Sequence, residues 1–275
     1  MAFGDLTRVN TNIQSMQSLF ELQKSNSELG TRQLRLATGS RINSAEDDSA
    51  GFSISMKLES RVRGQAQALA NIGDAKAMLG IAEGSLTTIQ EILMTMKEKV
   101  IQGANDTLGS FERRLIDNQL NALSTEINSI VSSSTFNGVS VFTSGAFSFQ
   151  VGSADADTFS VTVGALSTGA LSVSSTAVSV ASANSANTTL GNIDTAINTI
   201  ASTLGSLGDN QAALSFKADN LNINMINQDA ARSRIADADF AKEQIEIVKL
   251  QILQQTGVAA ISQANLAPQV VLSLL

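Results

Sequence analysis

Apolar residues recur along this chain at alternating steps of three and four, and the places where the rhythm fails mark its joints. Near the start the step is kept by Leu6, Val9, Ile13, Met16 and Phe20, and near the end by Ala238, Ala241, Ile245, Val248, Ile252 and Ala259. Such spacing draws one stripe along a helix, and the stripe has to be buried against another helix. The longest run is Ala68, Ile72, Ala75, Leu79, Ala82, Leu86, Ile89, Leu93, Met96 and Val100, without a break. A repeat kept that long predicts a left-handed coiled coil. Gly103, Asn105 and Asp106 interrupt it, and Ile116, Leu120, Leu123, Ile127 and Ile130 predict a third helix. Rhythm resumes at Leu190 and runs through Ile193, Ile197, Ile200, Leu204, Leu207, Leu214, Ala218, Leu221 and Met225, with Gln211 breaking the stripe.

Local signals set the boundaries. The first helix spans about Thr7 to Ala37, with Gly39 as a left-handed stop. Ser44 reads as an N-cap, with Glu46, Asp47 and Asp48 as first-turn acids suited to the helix dipole. Asp237 and Asp239 mark the joint before the last helix, which Pro268 ends near Leu266. At Asn137-Gly138 the period changes to two: Val139, Val141 and Phe142, then Phe147, Phe149 and Val151, then Phe159, Val161 and Val163. These are short strands, the last two runs forming a hairpin around Gly152–Asp157. From Ala165 to Thr189 the composition is Ser, Thr, Ala, Val and Gly, which reads as an exposed loop or weak strands.

The predicted fold is mainly α: a long antiparallel coiled-coil helical bundle formed by the N- and C-terminal segments, with a small β-hairpin region at about 137–180. The chain folds back at that region, so that residues 45–131 pack on 188–232 and 1–38 on 236–267. Residues 1–43 with 235–275 then form one coiled coil, and 44–234 a second helical bundle.

Composition narrows the function. Net charge is −7, which argues against nucleic-acid binding through a basic surface. With no His and no Cys, the commonest general base, a Ser-His-Asp triad and thiolate metal sites are all missing. Glu46, Asp47 and Asp48 are consecutive on a helix and do not converge on one ion, so they are read as helix-capping groups and as intersubunit partners for Arg41, Arg232 or Arg234. Gly73, Gly80 and Gly84 have no preceding strand or P-loop lysine; they are expected to allow close helix approach. Met16, Met78, Met94, Met96 and Met225 are expected as core filler. No catalytic residue, metal or cofactor is therefore expected. Leu250 to Leu275 carries no charge, yet Gln251, Gln254, Gln255, Gln263, Asn265 and Gln269 stud it. Each amide would need a partner in lipid, so this tail suits a protein interface better than membrane insertion. Residues 1–30 contain Asp5, Glu21 and Glu28 and show no secretory signal.

Several segments carry a family resemblance. Residues 36–51, LATGSRINSAEDDSAG, resemble the N-terminal signature of bacterial flagellins, and Val9-Asn-Thr-Asn12 their opening motif. Ile81-Ala-Glu-Gly84, Phe136-Asn-Gly138-Val139 and Gln150-Val-Gly152 are similar to further landmarks. Residues 233–239, 251–255, 264–265 and 268–275 are similar to the C-terminal signature. The likeness covers about residues 9–152 and 190–275. It implies a minimal flagellin without large outer domains, a structural subunit that self-polymerises into the filament used for swimming. The alternative is a hook–filament junction protein with related ends. It also implies an extracellular site, reached without a cleaved signal peptide, and as partners further copies of itself, the filament cap, hook–filament junction proteins and a flagellin export chaperone. The Ser/Thr segment is a candidate for O-glycosylation on the same grounds. The expected assembly contacts are Leu6, Val9, Ile13, Met16, Phe20, Ile245, Val248, Ile252, Leu272 and Leu275. The resemblance makes residues 1–43 with 235–275 the inner layer and 44–234 the outer one, and within and around the 36–51 signature Arg41, Asn43, Asp47, Asp48 and Arg234 are expected to link them.

Overall fold

A computed structural model describes residues 11–273, with side chains through Leu266. Five helices make up most of it: α1 (Ile13–Thr38), α2 (Ser49–Gly103), α3 (Ser110–Ser133), α4 (Ala183–Ala236) and α5 (Phe240–Ser273). Two small antiparallel pairs lie between α3 and α4: β1 (Thr135–Phe136) with β2 (Val139–Ser140), and β3 (Phe147–Gln150) with β4 (Thr158–Val161). The chain divides into two compact units, Met1–Ser60 with Asn227–Leu275, and Arg61–Ile226.

The 61–226 unit follows the apolar rhythm closely. Every residue of the Ala68-to-Val100 stripe on α2 is buried, together with Ile116, Leu120 and Ile127 of α3 and Ile193, Ile200, Leu207 and Leu214 of α4. Polar pairs on the rim show that α2 and α4 run antiparallel: Lys76 donates to Ser215, Gln211 to Glu83, and Lys97 lies 2.7 Å from Asp194. The β3–β4 hairpin lies where the period of two places it, whereas that period predicts neither β1 nor its pairing with β2. Asn137 and Gly138 both take positive φ, 50° and 78°, as a two-residue turn of the twist-matched type requires.

Four local expectations are corrected. The 165–189 segment is neither an exposed loop nor strands. Leu171, Val173, Val178 and Val180 are buried, so the alternation of apolar residues there reports burial without a ladder. Side chains of neighbouring elements satisfy its backbone instead: Val180 N–H donates to Asp117 Oδ1 at 2.7 Å, and Ser124 Oγ donates to the Val173 carbonyl at 2.8 Å. Thr189 Oγ1 accepts from Ser179 N–H and donates to its carbonyl. α2 is capped by Asp48, whose Oδ1 accepts from Gly51 N–H at 2.9 Å, and not by Ser44, which sits in the preceding turn. α5 continues through Pro268, whose missing N–H costs one hydrogen bond without stopping the helix. A Cβ at Gly73, Gly80 or Gly84 would meet nothing within 4 Å, so those glycines make no close approach. The close approach is at Gly103, where a Cβ would lie 2.8 Å from Val180 Cβ.

Candidate assembly surface

In the unit built from the two ends, α1 and α5 lie antiparallel. Asn12 Nδ2 donates to the Ala264 carbonyl at 2.8 Å, and Arg32 meets Glu243. Their seam is drawn from residues that the chosen rhythm did not pick out. From α1 it takes Ser15, Ser18, Leu22, Ser25, Leu29 and Leu36, and from α5 Ile247, Leu250, Gln254, Gly257, Ile261 and Ala264. No residue of α1 is fully buried. Leucines seven apart on one side meet an Ile/Leu/Gly/Ala row on the other, in which Ile247, Leu250 and Ala264 are buried.

The stripes read from the sequence face away from that seam. Ile13, Met16 and Phe20 on α1 are exposed, as are Ile245, Val248 and Ile252 on α5; the expectation that these two rows pack on each other within the chain is corrected. The physical reason is that three-and-four spacing shows that a row must be covered but not by what. Met16 and Met94 are likewise exposed rather than core filler, whereas Met78 and Met96 are buried. Leu6, Val9 and Leu275 lie outside the described residues, and Leu272 beyond those whose side chains are described.

The 36–51 signature ties the base of the pair. Gly39, with φ 70°, ends α1 and turns the chain back along the joint between α4 and α5. There Arg41 N–H donates to the Ala236 carbonyl and Ala238 N–H to the Gly39 carbonyl. The Arg41 guanidinium donates to the Ile235 carbonyl and lies 3.8 Å from Asp48. Asn43 Nδ2 closes onto the Ser40 carbonyl at 3.0 Å. Asp47 Oδ2 accepts from the backbone N–H of Asn43 and Ser44, and Oδ1 faces Arg35 Nη2 at 3.3 Å. Those two backbone donors, then Arg35, hold the Asp47 carboxyl below the ordinary carboxylate range. Arg234 stays exposed, and within the chain Arg232 pairs with Asp229, a contact that raises its pKa.

One set of residues escaped the sequence reading. Glu243 is nearly buried, and Arg32 Nη1 donates to both its oxygens at 3.0 and 2.9 Å while Arg35 approaches at 4.0 Å. The signal was present as charges standing on the Leu22-Leu29-Leu36 side of α1 and in the first turn of α5. Among the described residues no helix is long and apolar enough to cross a membrane.

Comparison with known proteins gives a consistent answer. A family model described as the bacterial flagellin N-terminal helical region matches residues 9–146, and one for the C-terminal helical region matches residues 190–275. Flagellin FlaB1 of Treponema pallidum (strain Nichols) is 31% identical over 97% of this chain and 99% of its own. The flagellar filament 33 kDa core protein of Treponema phagedenis is also 31% identical, over 97% of this chain and 99% of its own. The solved structure of a flagellar hook-associated protein from Vibrio parahaemolyticus covers 70% of this chain and 100% of its own with a TM-score of 0.59; at 16% identity it shows the shared fold alone.

Proposed function

Since this chain belongs to the bacterial flagellin family and is a structural subunit of a flagellar filament, we propose that the apolar rows left outside the α1–α5 pair are the surfaces on which it polymerises. The observation that carries this is their exposure: Ile13, Met16 and Phe20 on one helix and Ile245, Val248 and Ile252 on the other are open to water. Rows of this size on paired helices mark a protein interface. Burying each such side chain on assembly contributes about 1.5–3 kcal/mol. The reading extends to Leu6 and Val9, which continue the α1 row in sequence, and to Leu272 and Leu275 of the uncharged tail. In it the unit made from the two ends is the inner layer of the polymer and the 61–226 unit the outer layer. Arg41, Asn43, Asp47 and Asp48 brace the base of the inner pair, and exposed Arg234 is free to reach a neighbouring copy.

The chain is a scaffold rather than a catalyst: it has no His, no Cys and no convergent acid–base pair in the parts described. Further copies of itself are its main partner. The filament cap, the hook–filament junction proteins and an export chaperone are proposed from the family likeness, as is export without a cleaved signal peptide.

Ile252→Asp tests the surface. A carboxylate in the row must be desolvated on assembly, so polymerisation is expected to be blocked while the 61–226 unit stays folded by circular dichroism. Normal filaments of the variant under electron microscopy would overturn the assignment.

A further inference from the structure

The sequence contains no Cys, Trp, Tyr or His. Four of the side chains that common oxidants attack are therefore absent, and its seven methionines are left as the principal oxidisable groups. Packing then divides them. Met78 and Met96 lie in the core of the 61–226 unit, while Met16, Met56 and Met94 are exposed. Met16 is the most exposed of the described methionines, at 68%, and stands in the apolar row with Ile13 and Phe20.

We infer that Met16 is a site of reversible oxidation by peroxide-class oxidants, and that its sulfoxide keeps the subunit out of the filament. The inference rests on the assembly surface proposed above. In the step, the Met16 sulfur attacks one peroxide oxygen and the O–O bond breaks. The oxygen transferred becomes the sulfoxide and the other leaves as water, so sulfur loses two electrons and the peroxide gains them. A flexible apolar side chain becomes a polar one. In water that change costs the free subunit little, because Met16 makes no buried contact there. At a covered interface the S–O dipole has to give up its hydration, and a helical row of Ile, Met and Phe offers it no donor. Oxidation therefore acts selectively on assembly, and sulfoxide reduction reverses it. The same geometry works in the other direction: once the row is covered, oxidant no longer reaches the sulfur.

Full-length chain, partly oxidised with hydrogen peroxide, is polymerised and sedimented, and sulfoxide at each methionine is read by peptide mass spectrometry. Met16 sulfoxide is expected to be depleted at least tenfold in the pellet relative to the supernatant; equal occupancy overturns the inference. Preformed filaments are expected to oxidise at Met16 at least tenfold more slowly than free subunits, and equal rates overturn it too. Met16→Leu, treated identically, is expected to go on polymerising, whereas loss of assembly equal to the wild type's would assign the effect to another methionine. The wild-type experiments need no substitution, so they decide the matter even if Met16→Leu assembles poorly. If unoxidised Ile252→Asp assembles normally, the surface reading fails; if that variant is blocked while Met16 sulfoxide enters filaments freely, only the oxidation inference fails.

Discussion

Removing Arg32 isolates what holds the α1–α5 pair at its base. Glu243 is nearly buried, and its carboxylate receives two hydrogen bonds from Arg32 Nη1, at 2.9 and 3.0 Å. Arg32→Ala leaves that carboxylate with Arg35 alone, 4.0 Å away and already engaged with Asp47. Breaking a buried ion pair costs about 3–5 kcal/mol, and an exposed one is worth about 0.2–1. Arg32 keeps 32% of its side chain exposed and Glu243 only 6%, so the pair falls between those limits. With Arg35 relieving part of the loss, about 2 kcal/mol is expected. At 1.4 kcal/mol per tenfold, the critical concentration for polymerisation should rise roughly 30-fold, because pairing of the ends is linked to assembly. The loss should be asymmetric. Glu243→Ala frees two arginines that can turn toward water and toward Asp47, so it should cost less than Arg32→Ala. Sedimentation of wild type and both variants over a concentration series provides the assay, with Arg32→Glu/Glu243→Arg as the swap expected to recover much of the loss. An unchanged critical concentration for Arg32→Ala, or a larger effect for Glu243→Ala, would refute this account of the base.

Two further expectations concern glycine and pH. Gly80→Ala should stabilise the 61–226 unit by about 0.5–1 kcal/mol, since a Cβ there meets open space and helix propensity improves; Gly103→Ala should destabilise it by about 1–3 kcal/mol by pressing on fully buried Val180, and equal urea midpoints for the two variants would contradict the packing described. Because the folded Asp47 carboxyl titrates below the ordinary aspartate value, its contribution is present above that value and is lost as pH falls through the lower folded value; an NMR titration placing Asp47 at or above the ordinary value, or Asp47→Asn showing the wild-type loss of stability over that interval, would contradict it.

The two units were not equally legible. In the 61–226 unit the stripe from Ala68 to Val100 and its counterparts on α3 and α4 find one another within the chain, so the periodicity predicts the helical part of the core. The β3–β4 hairpin was legible because its Phe and Val residues alternate on both sides of a Gly- and Asp-containing turn. In the other unit the strongest rows, through Ile13 and Phe20 and through Ile245 and Ile252, point outward. Periodicity reports the need for cover, and cover from outside the chain looks the same as cover from within. The weaker Leu22, Leu29 and Leu36 row was the informative one, but serines between the leucines dilute its signal. The 165–189 segment misled for the opposite reason. Its small residues look like loop, yet hydroxyls and carboxylates on α3 and α4 bind its backbone and sink Val173 and Val180 into the core.

Pairing between remote parts of the chain also sets a clock. Asn12 meets Ala264 across 252 positions, and Lys97 on α2 finds Asp194 only after nearly a hundred further residues. On a ribosome that adds about 5–20 residues per second, the first helix is made many seconds before its partner exists. Contacts so distant in sequence form slowly even when both partners are present. The subunit thus has a built-in interval in which neither unit can complete its core, and the same delay recurs whenever the chain passes in sequence order through a narrow opening. Its architecture leaves the 61–226 core open until α4 has emerged, and the α1–α5 pair open until α5 has followed.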